Sequence, residues 1–144
     1  MQIALKDGRR YILVFKMGED FLSEFKKFLN DQNIHSGFFT AVGAASHIQL
    51  GSYSLETKSY ELKEWSGQFE ITNLTGNISK SGDELVVHTH GTFSDEHFKA
   101  FGGHVFVIKV SATLELHLIH TDGIIERVQD ELIGLKLLHG NGNN

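Results

Sequence analysis

The stretch Phe21-Leu22-Ser23-Glu24-Phe25-Lys26-Lys27-Phe28-Leu29-Asn30-Asp31-Gln32-Asn33-Ile34-His35-Ser36-Gly37-Phe38-Phe39-Thr40-Ala41-Val42 contains a change of period. Phe21, Leu22, Phe25, Phe28 and Leu29 recur at i, i+1, i+4, i+7 and i+8, the apolar stripe of an amphipathic helix. A helix is predicted over Glu19–Asn30. Asp20 or Glu19 can cap its start, and Lys26 and Lys27 stand toward the negative end of its dipole. From Gly37 onward the apolar period drops to about two, that of strands.

The rest of the chain keeps this second period. Before the helix, Arg10–Lys16 reads as a strand ended by Met17-Gly18. After it, strands are predicted over Phe38–Ala45, Ile48–Leu55, Ser59–Trp65, Gln68–Ile78, Leu85–His90, His104–Leu118, Ile124–Val128 and Leu132–Leu138. Lys80–Asp83 is a turn signal, and Thr121-Asp122-Gly123 reads as a hairpin turn. One helix among many strands defines an α+β class with a mainly antiparallel sheet. The run Val105-Phe106-Val107-Ile108 is apolar at successive positions, so both faces of that strand are expected to be covered. A single helix covers one face, so the other is expected to need a second sheet or another subunit, and oligomerisation is one expectation from the pattern.

The 144 residues fit one domain, 1–138, followed by a polar tail over 139–144 that is expected to be flexible. Composition is globular, with 40% hydrophobic and 22% charged residues. The net charge of −5 and the lack of any basic run beyond Arg9-Arg10 argue against direct nucleic-acid binding. Without cysteine there is no disulfide or thiol chemistry, and any metal must take imidazole or oxygen ligands. The uncharged segment Gln32–Leu55 is too polar for a membrane span, and Lys6 and Asp7 interrupt any leader-like N-terminus. A cytoplasmic protein is expected.

Nine histidines are present, and three have a telling arrangement. His88 and His90 flank Thr89 in a predicted strand, so both point to one face, about 7 Å apart at the backbone. His104 opens the next strong strand after Gly102-Gly103, a pair that permits close approach. If the two strands pair, three imidazoles can converge on one divalent ion with a position left open for water, a ligand set that suits Zn²⁺. His97, His117, His120 and His139 read as surface or turn residues. Glu70 and Glu115 lie within strands and are the candidate catalytic carboxylates, able to orient an imidazole or serve as base on metal-bound water. No nucleophile elbow, P-loop or dinucleotide fingerprint is present.

Taken in order, Gly43-Ala44, Gly67-Gln68-Phe69-Glu70-Ile71, Leu74-Thr75-Gly76-Asn77-Ile78, Leu85-Val86-Val87-His88-Thr89-His90, Ser94-Asp95, Gly102-Gly103-His104-Val105 and Thr113-Leu114-Glu115 resemble the plant and prokaryote conserved (PPC) domain, also called DUF296. The resemblance runs from about Arg10 to Leu138. It implies a PPC-like, trimer-forming fold and assigns His88, His90 and His104 as metal ligands, with no further cofactor. It leaves open an unidentified small-molecule or protein ligand, a metal-dependent hydrolase or lyase, or a DNA-associated regulator. Plant members of the family carry AT-hooks built on Arg-Gly-Arg, which this chain lacks. Gln68 stands where the partner-contact segment of plant members has arginine.

Overall fold

Asp20 has extended backbone angles, and its carboxylate accepts a hydrogen bond from the Ser23 amide at 2.9 Å. That cap satisfies one orphan donor of the first turn and starts helix α1, Phe21–Asp31. No basic residue stands in the last turn, so the expected dipole contribution of Lys26 and Lys27 is not realised. Lys27 instead pairs with Asp31 one turn on, at 2.6 Å. The structure, a computed structural model, describes residues 1–140. Residues 141–144 of the predicted tail lie outside the described residues.

Around this helix run eight strands: β1 (Gln2–Asp7), β2 (Arg10–Lys16), β3 (Gly37–Ser54), β4 (Ser59–Ser81), β5 (Glu84–Ser94), β6 (Ala100–His120), β7 (Glu126–Asp130) and β8 (Leu135–His139). β3 pairs antiparallel with both β4 and β6 along nearly its whole length, and β5 bridges β4 and β6. Those four pairings close a circuit, and β2 then β1 extend it from the far end of β6. The α+β class and the antiparallel sheet are as expected.

The buried face of α1 packs against one side of the sheet. Phe21 and Phe25 are fully buried and meet Phe15 of β2 and Phe39 of β3 edge-on or tilted, while Phe28 meets Tyr11. Each fully buried phenylalanine contributes about 1.5–3 kcal/mol of burial free energy, and the ring pairs add geometric specificity. Ile48, Ile71, Leu74, Phe93 and Ile108 continue this core between the long strands. No helix among the described residues is long and apolar enough to cross a membrane.

Several expectations change in the structure. The predicted breaks near Ser46 and Gly67 are bulges rather than ends. Between the pairs Ala45↔Phe69 and His47↔Ser66, Ser46 alone opposes Gly67 and Gln68, so β3 and β4 bend and continue. The run Val105–Ile108 has a related explanation. Gln49 pairs with Val107 and Leu50 with Val105, which leaves Phe106 as an extra residue. This bulge turns Val105 and Ile108 both into the core and Phe106 to the outer face, where Phe106 and Val107 are only partly buried.

Thr121–Gly123 is not a hairpin turn. The chain leaves β6 and crosses to set β7 parallel to the end of β4, at Lys80↔Glu126. Buried Ser36 holds both ends of that crossing, its carbonyl accepting from Thr121 N and its hydroxyl from Ile125 N. β7 and β8 then form a hairpin of their own. β1, which was not predicted, is a short exposed edge strand whose Ile3 and Leu5 stay about half exposed.

Candidate metal centre

Thr89 is fully buried against the core, and the pleat of β5 therefore turns its neighbours His88 and His90 to the outer face. His90 stands directly opposite His104 of β6, and His88 directly opposite Asn77 of β4. The three imidazoles form a nearly equilateral triangle. Ring centroids are 5.1 Å apart for His88 and His90, 5.2 Å for His88 and His104, and 5.2 Å for His90 and His104. One nitrogen from each ring lies within 4.8 Å of the other two.

Two glycines make this closeness possible. A Cβ on Gly102 would stand 2.6 Å from the Gly91 carbonyl oxygen, and no side chain other than hydrogen lets β6 approach β5 there. Gly51 pairs with His104 from β3, where a Cβ would meet the rings of Phe106 and Tyr60 at 2.6 and 2.7 Å. Those two rings lie 4.9 and 5.2 Å from the His104 imidazole and form an aromatic wall on that side.

Partial burial lowers the basicity of His88 and His104. Desolvation pushes His104 down to about 4, helped by His88, His90 and Arg127. His88 is also pushed below its ordinary value, by burial first, then by Arg127 and His90. Both rings are neutral at pH 7, the state a metal ligand requires. Nδ1 of His104 is buried with no hydrogen-bond partner. Three converging imidazoles and an orphaned ring nitrogen fit a divalent transition metal.

Behind the triangle stands Arg127 of β7, only 8% exposed. It donates from Nε to Ser79 Oγ, from Nη1 to the Lys136 carbonyl, and from Nη2 to Asn77 Oδ1, each at 2.9 Å. A further bond runs from Nη2 to His88 Nδ1 at 3.0 Å. The β7–β8 hairpin thus covers the cluster and forms a cavity of about 370 Å³ lined by Tyr60, Val86, Val87, His88, His104, Arg127 and residues of β8 and the turn before it. A second cavity of about 340 Å³ opens on the other side of His88, His90 and His104.

Neither candidate carboxylate stands among the imidazoles. Glu70 is exposed on β4, five positions before the partner of His90, roughly 16 Å away at the rise of a strand. Glu115 lies eleven positions along β6 from His104, between Val14 and Val42. His97 contacts neighbouring Glu96, and His117, His120 and His139 are on β6 and β8 away from the cluster. Arg127, Asn77 and Tyr60 were not singled out from the sequence. Asn77 lies in a motif that carried the resemblance, whereas the only sign of Arg127 was a lone cation among the polar and acidic residues Glu126, Gln129, Asp130 and Glu131.

With this geometry in hand, comparison with known proteins identifies the class. Residues 2–122 match the Plants and Prokaryotes Conserved (PCC) domain, and the chain belongs to that family. Its fold is similar to that of a putative DNA-binding protein from Bacteroides thetaiotaomicron, with a TM-score of 0.92, 26% identity and 96% of each chain covered. It is also similar to a metal-containing protein from Archaeoglobus fulgidus, with a TM-score of 0.85, 28% identity, 97% of this chain and 99% of that one covered. A plant- and prokaryote-conserved protein from Pyrococcus horikoshii gives a TM-score of 0.85 at 26% identity, covering 98% of this chain and 96% of that one. No curated protein matches the chain. Arg127 and the β7–β8 hairpin lie beyond the residues matched to the family.

Proposed function

We propose that this chain is a metal-binding PCC-domain protein in which His88, His90 and His104 hold one divalent transition-metal ion. The observation that carries this reading is the triangle of ring centroids, 5.1–5.2 Å on every side, built from two strands in register. Zinc suits a three-imidazole set, and the similar archaeal protein is described as metal-containing. When bound with an open position, such an ion polarises a ligand oxygen or acidifies water. The chain's own contribution is to keep His88 and His104 neutral, wall the site with Tyr60 and Phe106, and cover it with the β7–β8 hairpin.

Assembly as a homotrimer is part of the same reading. Phe38 and Ile119 are directly opposite each other on the outer face of β3 and β6, and with Val42 they remain 39–55% exposed. This apolar group suits a subunit contact. A hydrolase or lyase using Glu70 or Glu115 gains no support from their positions. Direct DNA binding is opposed by the net charge of −5.

Metal analysis of tag-free protein tests the proposal. About one zinc per chain is expected for the wild type and almost none for the His88→Ala/His90→Ala variant. Equal metal content in the two would overturn it.

A further inference from the structure

The cluster's covering arginine has a feature that metal binding does not account for. Arg127 is more than nine-tenths buried, yet among the described residues it forms no salt bridge. Its hydrogen-bond partners are a hydroxyl, a carbonyl, an amide oxygen and an imidazole, all neutral. Lys136, the other cation lining the cavity, has its own carboxylate in Glu84 at 3.1 Å. A guanidinium stays protonated at any physiological pH, so Arg127 brings a largely buried positive charge to the cavity with no counter-ion among the described residues. Buried charges of this kind are normally paired.

We propose that Arg127 binds the head group of an anionic ligand in the cavity it shares with His88 and His104, and that this ligand is a small carboxylate with an apolar body. The hydrogen-bond inventory supports the first part. Of the five N–H groups of arginine, four are used internally, which leaves one on Nη1. The bond to His88 is itself conditional. Arginine only donates, so His88 Nδ1 accepts and the ring's proton sits on Nε2. With His88 coordinating through Nδ1, that atom is lost to Arg127. With His88 coordinating through Nε2, the proton moves to Nδ1 and opposes the donor. In either case a second N–H, on Nη2, loses its acceptor, and two donors on adjacent nitrogens suit a carboxylate's two oxygens.

The cavity's other walls support the second part. Val86, Val87, Leu135 and Leu137 give it an apolar lining, and about 370 Å³ has room for a short hydrocarbon chain. A phosphate would call for several backbone amides or further cations around it, and the other lining cation, Lys136, is already paired with Glu84.

The inference rests on the metal reading for its second donor, and its test separates the two. Butyrate and its neutral isostere butyramide are titrated by calorimetry into metal-free and zinc-loaded wild type, Arg127→Gln and Arg127→Lys, with zinc content measured on each sample. Zinc-loaded wild type should favour butyrate over butyramide at least tenfold, with weaker butyrate binding when metal-free. Arg127→Gln should lose that preference while retaining zinc, and Arg127→Lys, which keeps the charge and guards against misfolding of the glutamine variant, should keep part of it. Full zinc loading with equal or no binding of the two probes overturns the anion proposal and leaves the metal reading standing. Zinc-loaded Arg127→Gln and Arg127→Lys that both fold and bind butyrate as wild type also overturn it. Failure of the wild type to take zinc, with the butyrate preference intact, overturns the metal reading alone.

Discussion

Arg127 and His88 are joined by a hydrogen bond of 3.0 Å across 39 residues of sequence, and this bond ties the C-terminal hairpin to the histidine cluster. The same guanidinium reaches Asn77 and Ser79 on β4 and the Lys136 carbonyl on β8. β7 otherwise touches the main sheet through a single registered pair, Lys80↔Glu126, and a hydrogen bond from Lys80 N to the Ile125 carbonyl. Arg127 makes the most side-chain hydrogen bonds of any residue in the hairpin, alongside Tyr53 to the Ile133 carbonyl, Lys58 to the Glu131 carbonyl and the Lys136–Glu84 pair.

Replacing Arg127 should loosen the hairpin before it unfolds the domain. Arg127→Gln leaves the buried Ser79 hydroxyl and several part-buried acceptors short of a donor, and the loss is expected to be about 1–3 kcal/mol. Urea denaturation gives the stability change, and amide exchange locates it. Protection should fall across β7 and β8 and stay near wild type in β3 and β6. Uniform loss of protection over the whole sheet would contradict this division.

Acid should destabilise the metal-free protein over a defined window. His104 is lowered to about 4 and His88 is lowered as well, both chiefly by burial, whereas an unfolded histidine titrates near 6.5. As pH falls from about 6.5 toward 4, the unfolded chain takes up protons that the folded chain refuses. The unfolded state then binds more protons, so stability falls with pH across that interval and levels off below it. Urea midpoints measured from pH 7.5 to 4 should show this slope, and it should be shallower in His104→Gln. An identical profile in that variant would show that His104 is not its source.

The histidine cluster and its arginine differ in how locally the sequence encodes them. His88 and His90 share a face because a strand's pleat has period two, and Gly102-Gly103 signals close approach before His104; both are local features. The pairing of His90 with His104 is not local; the sequence left it conditional, and the resemblance to a known domain supplied only the expectation that the three histidines share a metal. Arg127 escaped because its role depends on a parallel contact between β7 and β4, 46 residues apart at Lys80 and Glu126, which no spacing rule encodes. The expected hairpin at Thr121–Gly123 hid it further by placing β7 beside β6. Bulges account for the remaining differences. Phe106 was read as one of four residues in a strand covered on both sides, whereas one extra residue rotates Val105 and Ile108 to the same side.

The glycines at the site lead to another prediction. A methyl group on Gly102 would overlap the Gly91 carbonyl, and backbone cannot yield as a flexible side chain can. Gly102→Ala should force β5 and β6 apart where His90 faces His104, at a cost of about 1–3 kcal/mol. Zinc content should fall together with thermal stability. Gly123→Ala, where an added Cβ meets nothing, serves as the control and should change neither. A Gly102→Ala protein with full zinc and wild-type melting would count against the close approach as a requirement of the site.

The outer face of β3 and β6 provides the last test. Phe38 and Ile119 are neighbours across the strand pair, and Val42 follows on the same face of β3, opposite Glu115. Three apolar side chains left 39–55% exposed lose contact with water when subunits meet there. A glutamate at Phe38 and another at Val42 would bring charges into that contact with no partner, a cost that association cannot recover. Light scattering should give the wild type three times the 16.1 kDa chain mass and the Phe38→Glu/Val42→Glu variant a single chain mass, with unchanged circular dichroism. The histidine triangle is assembled within one chain, from β5 and β6 alone, so zinc content should survive the dissociation. A monomeric wild type would remove the trimer from the proposed function, and a trimeric double variant would move the contact to another face.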